Sequence, residues 1–429
     1  MSKNTVVMFS MWAPDSPTPI AHRLDKIIRC LNDEGVEVIL VSFYKSKIDF
    51  KHNIYRHYSL ERILPFLKRL TNIRNNEEQA NVSELKSVSF FSGVKQFFAA
   101  ITRCLFAPDI NIIFALPTAF LLVLAILRHR AKYVFSVTNP ASFACAGSFT
   151  GWLLRRNVIT DLGDLWYVIK EPRLNFKFEK RFHRWLERST VQRSNLVTFA
   201  YPELMELFSA QYPELHCKMR VMEQGYDGNF ISPVKMQSKK NNVFTIGYFG
   251  SLRMNEQYKS FLSVLEGFND LLKENPQLKP QVKMLLAGSI SDEFLQKINS
   301  PEISDNCNYL GYLRAGELES KMEECDAFIV VTGAKEIPFS YLVPQKLYMY
   351  MPYKKPIIYV GYAGKQLQRL KTLFPPVYPF SPEDTDGIKI CLQKLIKGEF
   401  SDVTIDDTQL LKLDFRNQFK SAFAGYFKS

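Results

Sequence analysis

No two of the seven cysteines, at positions 30, 104, 145, 217, 307, 325 and 391, stand at Cys-x-x-Cys spacing. Neither a zinc site nor a disulfide framework is therefore expected. The chain also lacks the roughly 20 uninterrupted apolar residues that a membrane span needs. Its most apolar stretch, Ile112 to Leu127, is broken by Pro117 and Thr118 and reads as strand, turn and buried helix. Met1-Ser-Lys-Asn runs straight into a strand without the basic-then-apolar order of a signal peptide. Together these absences lead to an expected location in reducing cytoplasm. No heptad run fixes an oligomeric state, and no recognition motif supports nucleic acid as a partner.

What the chain does have is an uneven charge. Residues 1 to 240 hold 33 Lys+Arg and 21 Asp+Glu, whereas residues 241 to 429 hold 22 of each, so the first half carries the whole formal excess of +12. Such a field favours an anionic partner, with acidic lipid or a lipid-linked diphosphate as candidates. Between Leu60 and Phe106, Ile63, Leu64, Phe66, Leu67 and Leu70 alternate with Arg62, Lys68 and Arg69. Phe97, Phe98 and Phe106 lie near Lys95 and Arg103. This is the composition of a basic amphipathic helix lying on a membrane surface, and equally of a helix with one face on a sheet. Peripheral contact with an anionic membrane, on its inner face, is the expectation. Phe178, Phe182, Trp185 and Leu186, among the basic residues Lys177 to Arg188, read as a core stripe with a solvated back.

Apolar runs alternate with amphipathic stretches along the chain. Thr5-Val-Val-Met-Phe9 is followed by the stripe Leu24, Ile27, Ile28, Leu31, by Gly35, and by a second run from Val36 to Phe43. The pattern recurs with Asn111 to Phe114 as a strand, Ala119 to His129 as a helix, and Tyr133 to Phe135 and Val158-Ile159 as strands. It starts again at Phe244, after the polar stretch Pro233 to Asn242. Alternation of this kind predicts doubly wound parallel sheets. The length suits two domains of about 200 residues. The expected boundaries are 1–235 and 243–409, with a helix at 410–429 crossing back to the first domain.

The most informative stretch is Ala327-Phe-Ile-Val-Val-Thr332, a buried-strand run, followed after a polar loop by Val343-Pro-Gln-Lys-Leu-Tyr-Met-Tyr-Met-Pro-Tyr-Lys-Lys-Pro-Ile-Ile-Tyr-Val360. Pro344 is tolerated in a first helical turn, the backbone N–H groups near Gln345 and Lys346 would face an anion, and Pro356 ends the helix before a further strand. Lys354-Lys355 reads as a solvated helix end. This segment resembles the donor-site helix of retaining family 4 glycosyltransferases of the GT-B fold, in which two Rossmann-like doubly wound parallel-sheet domains face a cleft. That family carries two Glu residues eight positions apart here, the second of which holds the ribose. This chain has Tyr341 and Met349 in their place, with Glu336 a few residues upstream.

Other segments resemble the family in the same order, from Val158 to Val360. Ile246-Gly-Tyr-Phe-Gly-Ser-Leu252 is similar to the first strand and glycine turn of the donor domain. The resemblance implies that Gly250, Ser251, Arg253, Lys259, Gln345 and Lys346 bind the donor diphosphate. Lys259 is equally readable as a surface lysine. Asn308-Tyr-Leu-Gly-Tyr-Leu313 resembles the nucleotide-contacting loop, implying Tyr312 and Leu313, with Met349, at the base and ribose. Val158-Ile-Thr-Asp-Leu-Gly-Asp-Leu-Trp166 resembles the acceptor-facing strand end, implying catalytic roles for Asp164 and Asp161, which also suit loop caps.

The implied activity is transfer of a sugar from a nucleotide-diphosphate sugar to a lipid-linked or polysaccharide acceptor with retention. No metal and no cofactor beyond that sugar nucleotide is implied. Two alternatives stand beside it. One is a catalytically degenerate GT-B-like binding or scaffold subunit, suggested by Tyr341 and Met349. The other is a nucleic-acid binder, resting on the basic half alone.

Overall fold

The computed structural model describes residues 4–16, 18–46, 56–63, 92–164, 166–167, 174–228, 243–252, 256–313, 315–332, 343–362, 364–399 and 405–427. Two compact units divide the chain: Met1–Glu223 with Gln418–Ser429, and Gln224–Asn417. The expected boundaries at 235 and 410 thus compare with 223 and 418. The expected linker, 233–242, lies outside the described residues.

The first unit is built on strands β1 (Thr5–Ser10), β2 (Glu37–Ser42), β3 (Arg56–Ser59), β4 (Tyr133–Val137), β5 (Asn157–Leu162), β6 (Leu196–Phe199) and β7 (Met219–Val221). They pair in the order β3-β2-β1-β4-β5-β6-β7, every pair parallel. The second unit has β8 (Phe244–Phe249), β9 (Val282–Ala287), β10 (Cys307–Tyr309), β11 (Ala327–Val331), β12 (Ile357–Val360) and β13 (Val377–Phe380). Their order is β10-β9-β8-β11-β12-β13, again all parallel. Strands covered by helices on both faces need apolar side chains on both. The five residues of β4 and the five of β11 are all buried.

Between strands the helices start where the chain's chemistry allows. Helix Pro19–Asp33 has Pro19 in its first turn and Thr18 as N-cap, whose hydroxyl accepts from the Ala21 amide. Gly35, at φ +75°, turns the chain into β2, a conformation that favours glycine.

The segment read as strand, turn and buried helix is a single 18-residue helix, Ile112–His129, running through Pro117. A short apolar run does not by itself distinguish strand from buried helix. The Asp109 carboxylate accepts from the Asn111 amide and fixes the helix start. The Thr118 hydroxyl returns to the Phe114 carbonyl at 2.7 Å, beside the position where proline removes a backbone donor. Phe114, Ala115, Leu121, Leu122, Ala125 and Ile126 join Val7, Phe9, Ile39 and Val41 in the core.

Helix Lys177–Arg193 reverses its expected orientation. Its buried residues include Glu179, His183, Glu187 and Thr190, while Phe178 and Trp185 are exposed. The inversion is possible because its two buried carboxylates find partners inside. Arg103 pairs with Glu179, and Glu187 accepts from the Tyr167 amide at 3.0 Å. Burial pushes the Glu187 carboxyl up to about 7. Of the segment Leu60 to Phe106, residues 64–91 lie outside the described residues. Leu60 is buried, and Phe97 is exposed, edge-on to Phe176 and Phe178.

Candidate functional site

In a doubly wound sheet, ligands bind beyond the carboxyl ends of the strands, where the strand order reverses. In the second unit that point lies between β8 and β11. The end of β8 is fixed from the motif helix, Gln345–Tyr350. The Tyr350 hydroxyl accepts from the Phe249 amide at 3.0 Å, and its ring stacks on Phe328 at 4.3 Å. Leu347 and Tyr348 of the same helix are also core residues. Half of the motif is therefore packing, and Gln345, Lys346 and Met349 are the half-buried remainder. Pro344 stands at the N-cap, one residue ahead of the helix it was expected to open.

Gly250 follows directly, and its missing side chain is used. A Cβ there would lie 1.9 Å from Lys346 Nζ, so the ammonium occupies the space that any other residue would fill. Gly288, at φ +124°, lets the loop after β9 close in, since a Cβ there would meet the Gly250 carbonyl oxygen at 2.2 Å. The two turns are tied by Gly250 N–H to Ala287 O (2.7 Å) and Leu252 N–H to Ser289 O (2.9 Å). The Gly288 amide donates to Gly311 O at 2.8 Å, which brings in the loop carrying Tyr312 and Leu313.

Lys346 Nζ donates to the Tyr248 hydroxyl at 2.9 Å and lies 4.4 Å from that ring's centroid. Tyr248 in turn donates to the Ser251 carbonyl at 3.0 Å. Burial pulls the Lys346 ammonium down to about 8. A desolvated cation with no carboxylate paired to it among the described residues favours an incoming anion.

The structure thus brings together Gly250, Ser251 and Lys346, with Tyr312 and Leu313 one hydrogen bond further on. Tyr312 is exposed and Leu313 half-buried. Lys259 is exposed on the helix Glu256–Glu274. Arg253, Tyr341 and Glu336 lie outside the described residues. Lys354 and Lys355 are not simply solvated. Lys354 pairs with Asp407 at 2.5 Å, and Lys355 donates to the Glu323 carbonyl at 2.7 Å.

In the first unit the strand order reverses between β1 and β4. Trp12, after β1, donates its indole N–H to the Asn139 carbonyl at 3.2 Å and stacks on Tyr44, after β2, at 5.0 Å. Asn139, after β4, donates its amide to Asp164 Oδ2 at 3.3 Å. Burial raises the Asp164 pKa above the ordinary carboxylate value, and the Asn139 bond opposes that rise. A carboxylate so placed is a better base than a solvated one.

Asp161 is different in kind. It is fully buried, Arg23 Nε and Nη2 donate to its two oxygens at 2.7 and 2.8 Å, and the Thr198 hydroxyl donates to Oδ1 at 2.6 Å. Arg23 also donates to the carbonyls of Met222 and Glu223. The catalytic expectation for Asp161 is therefore replaced by an anchoring one, because both of its oxygens are committed inside the core.

Sequence reasoning missed Tyr248, Trp12, Tyr44 and Asn139. The signal for the last three was the one that located Gly250, namely the first residues after an apolar run. Tyr248 is hidden within β8 as one more buried strand residue. Gly250→Ala is expected to cost the fold less than about 1 kcal/mol, since the atom it meets is the far end of a flexible side chain. It should evict the ammonium from the turn. Urea unfolding and a structure of the variant would check both parts.

No protein-family model matches the chain, and no curated protein is similar to it in sequence. Solved structures are similar in fold. An α,α-trehalose-phosphate synthase (UDP-forming) from Burkholderia xenovorans, in complex with glucose-6-phosphate, superposes with a TM-score of 0.60 at 10% identity, covering 99% of this chain and 100% of that one. The E. coli trehalose-6-phosphate protein bound with UDP-2-fluoro glucose gives 0.59 at 12% identity, covering 100% and 99%. A Neisseria meningitidis UDP-GlcNAc 2-epimerase bound to UDP-GlcNAc gives 0.54 at 12% identity, covering 99% and 100%. With its two parallel sheets, the chain has the GT-B fold.

Proposed function

We propose that this protein is a glycosyltransferase that moves a sugar from a nucleotide-diphosphate sugar to a lipid-linked or polysaccharide acceptor, with retention of configuration. The observation that carries the reading is Lys346, a desolvated ammonium laid across the Gly250 turn at the switch point of the second sheet. The UDP-sugars bound in two of the neighbours named above support it. So does the order of the motif segments from Val158 to Val360. The protein would work in the cytoplasm, against the inner face of a membrane.

In this reading the donor diphosphate lies over Gly250 and Ser251, with Lys346 against it. Bond cleavage leaves negative charge on the departing diphosphate and an oxocarbenium-like sugar. A cation fixed in a low-dielectric site stabilises that charge most when it is fullest. Tyr248 holds the ammonium in place. Arg253 and Lys259 would add charge as the donor binds, Gln345 would offer its amides, and Tyr312, Leu313 and Met349 would border the nucleoside. In the first unit Asp164, oriented by Asn139, would take the proton of the acceptor hydroxyl, with Trp12 and Tyr44 offering an aromatic surface to a sugar ring.

Thermal unfolding against a panel of nucleoside diphosphates tests the donor half. At a ligand concentration of 100 Kd, one of them should stabilise the fold by about 2.7 kcal/mol, an effect lost in Lys346→Ala. No stabilisation by any member of the panel would remove the reading. Asp164→Asn should keep the nucleotide effect while turnover drops roughly 10²- to 10⁴-fold. Met349, which puts a thioether where the family has a ribose-binding carboxylate, favours a second reading, a sugar-nucleotide-binding scaffold. That reading would be supported by nucleotide stabilisation without turnover of any donor.

A further inference from the structure

The outward side of helix Ile112–His129 is the opposite of what a solvated helix shows. Ile113, Leu116, Phe120, Leu124 and Leu127 are exposed, Leu116 at 61% and Phe120 at 65%. Their spacing of 3, 4, 4 and 3 residues makes one stripe along the helix, while the other side is core. A surface helix normally puts charged and polar residues on that outer stripe. Here residues 112–127 contain no charged side chain at all.

The neighbouring helix, Ala141–Leu153, packs alongside and is tied at its start to the same Asp109 that begins the first helix. It exposes Phe149 and Trp152, and the Arg193 guanidinium lies 5.6 and 5.4 Å from their rings. An apolar area of this extent marks an interaction surface. By length and composition the helix could also cross a membrane, but its inner stripe is committed to the sheet. The stripe is therefore placed to lie on a surface.

A cavity of about 480 Å³ opens at the C-terminal end of the helix, lined by Arg56, His57, Tyr58, Arg128 and His129. The connection to β4 puts this end at the amino edge of the sheet, where Arg56 begins β3. Arg56 and Arg128 are exposed. Tyr58 Oη and His129 Nε2 are 2.8 Å apart, as are Ser42 Oγ and His57 Nε2. Burial lowers both histidines, His57 to about 4, and the acidic groups acting on them are Asp15 at His57 and Glu37 at His129. The positive charge of the cavity near neutral pH is therefore carried by the two arginines.

We propose that the outward stripe of helix Ile112–His129, with the basic cavity at its end, docks this protein on an anionic phospholipid bilayer. The stripe enters the acyl boundary, and Arg56 and Arg128 hold a headgroup phosphate. Three features favour this occupant: an uncharged stripe, cations gathered at its end, and the +12 excess confined to residues 1–240. The inference does not depend on the chemistry proposed for the second unit, because it is read without turnover.

Co-flotation of the full chain with vesicles of phosphatidylcholine, with and without phosphatidylglycerol, is the test, with Trp fluorescence recorded in parallel. The wild type should bind the anionic vesicles with a blue shift. Leu116→Gln combined with Phe120→Gln should weaken that binding about tenfold or more. Arg56→Gln combined with Arg128→Gln should remove most of the preference for phosphatidylglycerol, again about tenfold. These side chains are exposed, so each variant should keep the wild-type melting curve. Unchanged vesicle binding in the Leu116/Phe120 variant would overturn the proposal. So would a wild type that ignores vesicles and elutes as a dimer that the same variant dissociates, because a second copy of the chain would then cover the stripe.

Discussion

Lys346→Met is expected to stabilise the second unit by about 2 kcal/mol at pH 7 while abolishing its response to nucleotides. The ammonium titrates near 8 in the folded protein against an ordinary 10.5, a gap worth about 3 kcal/mol against the folded state. Methionine keeps most of the apolar stem. The hydrogen bond to Tyr248 is lost, which returns about 1 kcal/mol. The pH dependence identifies the cause. Between about 8 and 10.5 the unfolded chain holds a proton on Lys346 that the folded chain has released, so stability rises with pH across this window. Below 8 both states are protonated and the penalty is constant. Tyrosines and cysteines also titrate as the solution becomes alkaline, so the measurement is the difference between wild type and variant. That difference should be largest below pH 8, fall by about 3 kcal/mol as pH rises to about 10.5, and there leave the variant about 1 kcal/mol less stable than wild type through the lost hydrogen bond. A variant less stable than wild type at pH 7 would show that the ammonium is not desolvated in the way described. Nucleotide affinity should move the opposite way in the wild type, falling as pH rises through 8, because only the protonated amine meets a diphosphate as a cation.

The second large effect lies in the first unit. Arg23→Met is expected to cost about 3–5 kcal/mol, because it leaves the Asp161 carboxylate buried without its cation. It also frees the carbonyls of Met222 and Glu223. The double substitution Arg23→Met with Asp161→Leu should recover much of the loss, since a buried ion pair replaced by apolar groups is often neutral. Urea unfolding of the two single variants and the double variant gives the coupling. Additive costs would mean that the pair is not a unit. A large cost confined to Asp161→Leu would return that residue to consideration for some other role.

Much of the fold was legible because parallel strands buried on both faces read as continuous apolar runs, and β1, β2, β8, β11 and β12 all do. β3 was not legible: Arg-His-Tyr-Ser has no apolar run and is held by its pairing with β2. Helix Lys177–Arg193 misled because its apolar and polar stripes lie side by side, and only the partners Arg103 and Tyr167 decide which stripe faces inward. In the candidate site, the resemblance placed Gly250, Ser251 and Lys346 together, and Gly250 does stand against the Lys346 ammonium. Asp161 and Asp164 cannot be told apart by sequence, since the arginine that claims Asp161 stands 138 residues away. Tyr248 was invisible for the opposite reason, a polar role held by a residue that otherwise looks like core.

The final residues carry a consequence for how the molecule comes to exist. Phe427 offers its carbonyl to Asn4 at 2.5 Å, Tyr426 offers its own to Tyr133 at 3.3 Å, and Phe423 meets Phe135 with ring centroids 5.8 Å apart. Gln418–Ser429 thus belongs to the unit that begins at Met1. During synthesis the second unit, one uninterrupted stretch, is complete before the first, which was started earlier and waits for its last contribution. Until then the aromatic surface around Tyr133 and Phe135 remains open to water, to chaperones and to neighbouring nascent chains. Loss of residues 418–429 would injure the unit whose other residues are made first and spare Gln224–Asn417.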